Sequence, residues 1–302
     1  MARAFTALGL FVATLMHGGP LVKAAPLWHT YSYITLDVPF VPQGSTFPYT
    51  GSPAGLNSRG DVVGYWYSGV DHNTHGYVYR DGAFTNIDAP FDGAGNTRLT
   101  GINDWGDIVG TYEVGIHTFG FLYDGSVFTT LDLNGGVPTS INNQGQIVGY
   151  VVGATTLHGI LYDRGTVTIF DIPGHAKTSA TDINNGGNMI GYYQDGFIHG
   201  SFLMDRAGTL TLLNAPFSSP ADTTATGINS SKQIVGSYMA WESGRPIGLH
   251  AFLYDAGEFV SIDGPPGTRE LEFGRINERG QIIGLLTDAA NVHGFLATPL
   301  RK

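Results

Sequence analysis

GINDWGDIVG, running from Gly101 to Gly110, decides the fold, because it recurs in varied form along the whole chain. The copies read GLNSRGDVVG at Gly55, SINNQGQIVG at Ser140, DINNGGNMIG at Asp182, GINSSKQIVG at Gly227 and RINERGQIIG at Arg275. Their asparagines fall at positions 57, 103, 142, 184, 229 and 277, a spacing of about 45 residues that marks a repeat architecture. Around Asn103 the unit reads as four strands. LTGIN (99–103) turns through Asp104-Trp105-Gly106 into DIVGTY (107–112), and GFLYD (120–124) and VFTTLD (127–132) follow. Alternating β-branched and aromatic residues between Gly, Asn and Asp turns are the strand-and-hairpin pattern.

The other copies repeat the third strand as HGYVY at His75, HGILY at His158, HGSFL at His199, HAFLY at His250 and HGFLA at His293. The last copy lacks a fourth strand of its own, whereas Ile34–Phe40, ITLDVPF, matches the NIDAPF of 86–91. The expected fold is therefore all-β: a six-bladed β-propeller of four-stranded antiparallel blades, closed by the N-terminal strand completing the last blade. Closure of that kind hides the edges an open array would expose.

The pattern GIN-x-x-G-x-IVG-x-Y, HGFLY, FTTID resembles the bacterial extracellular repeat proteins of the HAF family, and His250-Ala251-Phe252 carries the naming triplet literally. The resemblance covers Ile34 to Leu300 and implies an exported, propeller-like protein. It brings no assigned activity and no catalytic residues.

Composition agrees with many short strands: 44 glycines and 12% aromatic residues against 13% charged ones, with no sustained helical periodicity. Residues 1–24 read as a signal peptide, with Arg3 ahead of the apolar run from Ala4 to Met16 and Val22-Lys23-Ala24 at the cleavage point. Residues 25–302 then form a single domain, expected to be a secreted monomer, extracellular or periplasmic, with no membrane insertion after cleavage. Cleavage removes Arg3 and Lys23 and leaves 13 basic against 25 acidic side chains, a formal charge of −12. With no basic run, nucleic acid is an unsuitable partner. The absence of cysteine excludes thiolate metal sites and thiol nucleophiles.

Recurring residues read as structural. The repeated Asn suits the head of an N-x-x-G turn, and the recurring strand-three His is expected to hydrogen-bond the Asp that ends strand four. A metal is not expected, since equivalent imidazoles in separate blades cannot converge on one ion, and no cofactor is implied. Function is expected where the repeats differ. The residues before the buried GIN position, Gly55, Gly101, Ser140, Asp182, Gly227 and Arg275, should face the axis, four small ones leaving space and two charges intruding. The charged stretch TRELEFGRINER adds Arg269, Glu270 and Glu272 at one channel mouth, and the aromatic loops add Trp66, Asp71, His72 and Trp241 as platforms and polar partners. These nine ligand-binding candidates favour a binding protein for a glycan or protein. The alternative is a glycan hydrolase or lyase with its site near the sixth blade; no standard catalytic motif is present.

Overall fold

The computed structural model describes residues 31–40, 51–196, 198–216, 222–242, 245–262, 264–289 and 291–300, so the signal-peptide reading lies outside the described residues. All regular structure there is β. A first strand, β1 (Tyr31–Thr35), precedes the repeats. Repeat one forms β2 (Ser52–Leu56), β3 (Val62–Tyr67), β4 (Thr74–Arg80) and β5 (Ala83–Ile87). Repeat two forms β6 (Gly95–Ile102), β7 (Ile108–Val114), β8 (His117–Tyr123) and β9 (Phe128–Leu131). Repeat three forms β10 (Val137–Ile141), β11 (Ile147–Val152), β12 (Leu157–Asp163) and β13 (Thr166–Phe170). Repeat four forms β14 (Lys177–Ile183), β15 (Met189–Asp195), β16 (Ile198–Met204) and β17 (Leu210–Leu213). Repeat five forms β18 (Thr223–Ile228), β19 (Ile234–Glu242), β20 (Arg245–Asp255) and β21 (Glu258–Ile262). The last repeat supplies β22 (Glu270–Ile276), β23 (Ile282–Thr287) and β24 (Val292–Pro299).

These strands make five sheets rather than six separate ones: four have four strands and one has eight. The large sheet arises because Leu157, at the start of β12, bridges in parallel to Lys177 at the start of β14, joining repeats three and four through one residue pair. β1 runs antiparallel to β24, with Ile34 opposite Leu296 and Thr35 opposite Phe295. The expected strand Ile34–Phe40 is shifted, because pairing begins at Tyr31 and ends at Thr35. Tyr33 packs on Phe295, ring centroids 5.7 Å apart, which favours the earlier segment. Leu36 still donates its N–H to Gly294 O at 2.7 Å, Leu36 and Val38 are buried, and Pro39 has no N–H to offer a ladder.

Sheets pack face to face around an axis lined by the first strand of each repeat. The core lies between them: Leu213 and Ala215 of repeat four, for example, join Ala225, Ile228 and Phe252 of repeat five. The GIN asparagines stitch neighbouring sheets together. Asn103 Oδ1 accepts the Trp105 and Asp107 N–H groups at 3.0 and 2.9 Å, closing the turn locally as expected. Gly106 completes that turn at φ +94°, and Lys232 takes the same place in repeat five at φ +62°. The Nδ2 groups reach further, donating from Asn57 to Asn103 O, Asn103 to Asn142 O, Asn142 to Asn184 O, Asn184 to Asn229 O and Asn229 to Asn277 O. Asn277 Nδ2 donates in turn to Asn57 O at 2.8 Å. One side chain therefore closes its own turn and holds the next repeat.

Each inner strand skips one residue against its partner: the register slips between Pro53 and Gly55, Leu99 and Gly101, Pro138 and Ser140, Ala180 and Asp182, Ala225 and Gly227, and Phe273 and Arg275. These β-bulges bring two consecutive residues to the axis. Four of the skipped residues are threonines. Each hydroxyl lies near a carbonyl of its own repeat and one of the next repeat, as Thr139 does with Val148 O at 3.1 Å and Ala180 O at 2.9 Å.

Candidate functional site

The axis is sealed rather than open. The small residues expected to leave space instead let neighbouring backbones meet: a Cβ on Gly227 would lie 2.7 Å from Arg275 Cα, and one on Gly101 2.9 Å from Ser140 Cα. Such contacts admit no side chain. Arg275 occupies the axis beside a small cavity of about 50 Å³ that it lines with Gly55, Gly101, Ser140 and Asp182. Its Nη1 donates to Thr226 O, and its Nη2 donates to Thr139 O at 2.9 Å and Thr181 O at 3.0 Å, all three being bulge carbonyls.

Asp182 answers that charge, with Oδ1 3.8 Å from Arg275 Nε. The carboxylate also accepts from Ser140 Oγ at 2.5 Å, Ile183 N at 3.0 Å and Ile228 N at 2.8 Å. Burial pushes the Asp182 carboxyl up, and the guanidinium with these three donors opposes that shift. The two intruding charges thus meet as a buried ion pair, each hydrogen-bonded to other groups, while among the described residues Arg275 Nε itself has no hydrogen-bond partner.

Above this plug lies a funnel of about 350 Å³, walled by Tyr65, Thr100, Thr139, Thr226 and Glu272 and floored by Arg275. Arg98 places its guanidinium carbon 5.6 Å from the Tyr65 ring centroid, and Glu113 lies 3.8 Å from Arg98. Glu270 and Glu272 alternate along β22 and face the same side. Burial, then the neighbouring Glu270 charge, raises the Glu272 carboxyl above its usual range. Glu272 also borders a smaller cavity of about 180 Å³ with Asp222, Ser237 and Tyr238.

The other candidates sit elsewhere. Trp66 is only 9% exposed. Its indole donates to Asn86 Oδ1 at 2.9 Å and it stacks on His75 at 4.9 Å. The expected platform is therefore a core residue, because strand alternation turns it under the rim. Asp71 bonds His75 Nε2 at 3.0 Å, and His72 Nδ1 meets the Tyr67 hydroxyl at 3.1 Å. Trp241, 38% exposed, sits in the β19–β20 hairpin opposite Pro246. Arg269 is exposed beside the funnel wall, its N–H donating to Thr287 O at 2.7 Å.

The expected His–Asp bonds are present in three repeats: His75 to Asp88 at 2.9 Å, His158 to Asp171 at 2.7 Å and His293 to Asp37 at 2.9 Å. In repeat five the partner aspartate, Asp263, lies outside the described residues. Sequence reasoning missed Tyr65 and the bulge threonines. The recurrence of Thr directly before the GIN-type segment, at 100, 139, 181 and 226, was the available signal.

Several solved structures share this arrangement. TolB from Acinetobacter baumannii aligns with a TM-score of 0.52 at 13% identity, over 83% of this chain and 64% of that one. The β-propeller domain of the Trilobed protease from Pyrococcus furiosus aligns at 0.51 and 10% identity, over 80% and 79%. The protein is a β-propeller. A protein assigned as a gluconolactonase aligns across 93% of this chain and 99% of its own, at a TM-score of 0.51 and 14% identity. At such identities the likeness extends to the fold alone, and propellers carry unrelated chemistries. No family model matches the chain, and no curated protein matches it in sequence.

Proposed function

We propose that this chain is a secreted, closed six-bladed propeller of the HAF type that binds an extracellular glycan or protein segment in the funnel above Arg275, without catalysing a reaction. Dividing the eight-stranded sheet at its single bridge into β10–β13 and β14–β17 supports the six-blade reading. The β1–β24 pairing supports closure, as does the relay of asparagine bonds that returns from Asn277 to Asn57. The signal-peptide pattern of residues 1–24 supports export.

The observation that carries the binding reading is the funnel itself: a concave space of about 350 Å³, lined by Tyr65, threonine hydroxyls and Glu272, over a floor whose charge is already neutralised. Aromatic and hydroxyl groups around a preformed cavity suit ligand recognition. The carboxylates available for catalysis are dispersed. Asp182 is bound to Arg275 and Asp71 to His75, while Glu270 and Glu272 stand side by side on one wall rather than across a cleavable bond.

One observation favours the second reading, a glycan hydrolase or lyase: the raised Glu272 carboxyl is the kind of group that acts as a general acid. A glycan array followed by turnover assays on every hit separates the two. Binding weakened at least ~10-fold in both Tyr65→Ala and Glu272→Gln, with unchanged melting and no product, supports a binding protein. Product formation overturns the non-catalytic reading, and unchanged affinity in both variants overturns the funnel as the site.

A further inference from the structure

The rim of the propeller carries a repeated polar pair, and repeat two breaks it. Where the pair is intact, the aspartate ending strand four receives an imidazole N–H, as at His75–Asp88, His158–Asp171 and His293–Asp37. In repeat one the ring is also stacked, 4.9 Å above Trp66. In repeat one, a planar nitrogen donor lying on an aromatic face and bonded to a carboxylate is thus what this position holds.

In repeat two the histidine is replaced by Phe119, which stacks on Tyr112 with centroids 5.4 Å apart and planes at 22°. Tyr112 in turn stacks on Phe91 at 4.5 Å. The equivalent aspartate, Asp132, keeps its place but loses the imidazole. Among the described residues it accepts one long hydrogen bond, from the Asn134 N–H at 3.3 Å. Both Phe119 and Asp132 are exposed, and they share a cavity of about 450 Å³ with His117, Thr130 and Leu133. Among the described residues no Lys or Arg lines it, and Asp132 is its one carboxylate.

We propose that this cavity is a second binding site, one that takes the guanidinium group of an arginine side chain in a peptide, stacked on Phe119 and paired with Asp132. A guanidinium supplies what the missing imidazole supplied: a flat, weakly hydrated N–H donor that stacks on aromatic faces and meets a carboxylate with two parallel bonds. The chain's formal charge of −10 favours a cationic ligand over an anionic one. A neutral sugar could stack on Phe119 and would leave the Asp132 charge unanswered. The site lies on repeat two, apart from the funnel over Arg275, and does not depend on it.

The test uses the full chain and two capped peptides, acetyl-Gly-Arg-Gly-amide and its Gly-Ser-Gly counterpart, followed by NMR titration. The arginine peptide should bind saturably and shift Phe119, His117 and Asp132 resonances, while the serine peptide should not. Asp132→Asn should weaken binding at least ~10-fold, the loss expected when a charge-assisted bond is removed. Phe119→His is the decisive variant, because it restores the pair seen at His75–Asp88, His158–Asp171 and His293–Asp37 and should abolish binding with no loss of melting temperature. Glu272→Gln should leave the peptide's affinity unchanged, which separates this site from the funnel. Absence of saturable binding, equal binding by Phe119→His, or occupation of the cavity by an oligosaccharide instead of the arginine peptide would each overturn the proposal.

Discussion

Replacing Asp182 by alanine tests the sealed axis. The side chain is 8% exposed and faces Arg275, itself 14% exposed. Removing it strands a buried cation and deprives Ser140 Oγ, Ile183 N and Ile228 N of their acceptor. Breaking a buried pair from one side costs about 3–5 kcal/mol. The carbonyls of Thr139, Thr181 and Thr226 still solvate the guanidinium and pull the cost down, while the orphaned donors push it up, at about 1–3 kcal/mol for each left unsatisfied. A loss of about 4 kcal/mol, or on the order of 10 °C in melting temperature, is expected.

Urea and thermal unfolding followed by tryptophan fluorescence measure it. The double variant Asp182→Ala/Arg275→Met removes both charges and should recover about 1 kcal/mol or more relative to the single change, since the uncompensated ion is gone. A single-variant cost under about 1 kcal/mol, or a double variant no more stable than Asp182→Ala, would refute the reasoning.

Three further outcomes follow from particular residues. Tyr77 is fully buried with a hydroxyl that has no hydrogen-bond partner among the described residues, at a position where the other repeats carry Phe121, Ile160, Phe202, Phe252 and Phe295. Tyr77→Phe should therefore raise stability by about 1 kcal/mol, and a lower urea midpoint would show that the hydroxyl is satisfied. Gly227→Ala drives a Cβ to 2.7 Å from Arg275 Cα and should destabilise by about 2 kcal/mol or more, whereas solvent-facing Gly125→Ser, at φ +94°, should cost about 1 kcal/mol from backbone strain alone. Equal melting for the two would remove the close approach as a cause. On the rim, the Ser68 hydroxyl and Asn73 N–H, with His75, hold Asp71 down at about 2 against a usual 3.8. Burial works against charge on His75, yet Asp88 and Asp71 raise it above 6.5. The Asp71 contribution is present above pH 3.8 and lost as pH falls through about 2; the His75 contribution is present below 6.5 and lost as pH rises through its folded value. Hydrogen exchange at Asn73 and Thr74, corrected for intrinsic rate, should thus be slowest between about pH 4 and 6.5. NMR titration of His75 at or below 6.5 would contradict this.

Local chemistry made much of this protein readable from its residues. The alternating strands, the N-x-x-G turns and the His–Asp bonds all involve groups close in sequence or equivalent between repeats, so recurrence reveals them. The same reasoning went astray where a motif continued past its strand. ITLDVPF resembles NIDAPF, yet in repeat one β5 already ends at Ile87, before the aspartate and proline, and β1 likewise ends at Thr35. The aspartate serves the histidine and the proline cannot donate to a ladder. Trp66 was misread for a related reason: an aromatic near a variable loop looks available until strand alternation places it beneath His75.

The amino-acid order alone determined an all-β repeat chain, its strand pattern and the pairing of residues within each repeat, because those depend on periodicity and turn chemistry. Tertiary structure decided what happens at the axis. Arg275 and Asp182 occupy equivalent places in different repeats, and only the radial arrangement brings them together and closes the neighbouring backbones around them. Which carboxylates are neutralised, as Asp182 is, and which line a cavity, as Glu272 and Asp132 do, depends on how whole sheets pack. Spacing along a chain does not encode distance across an axis.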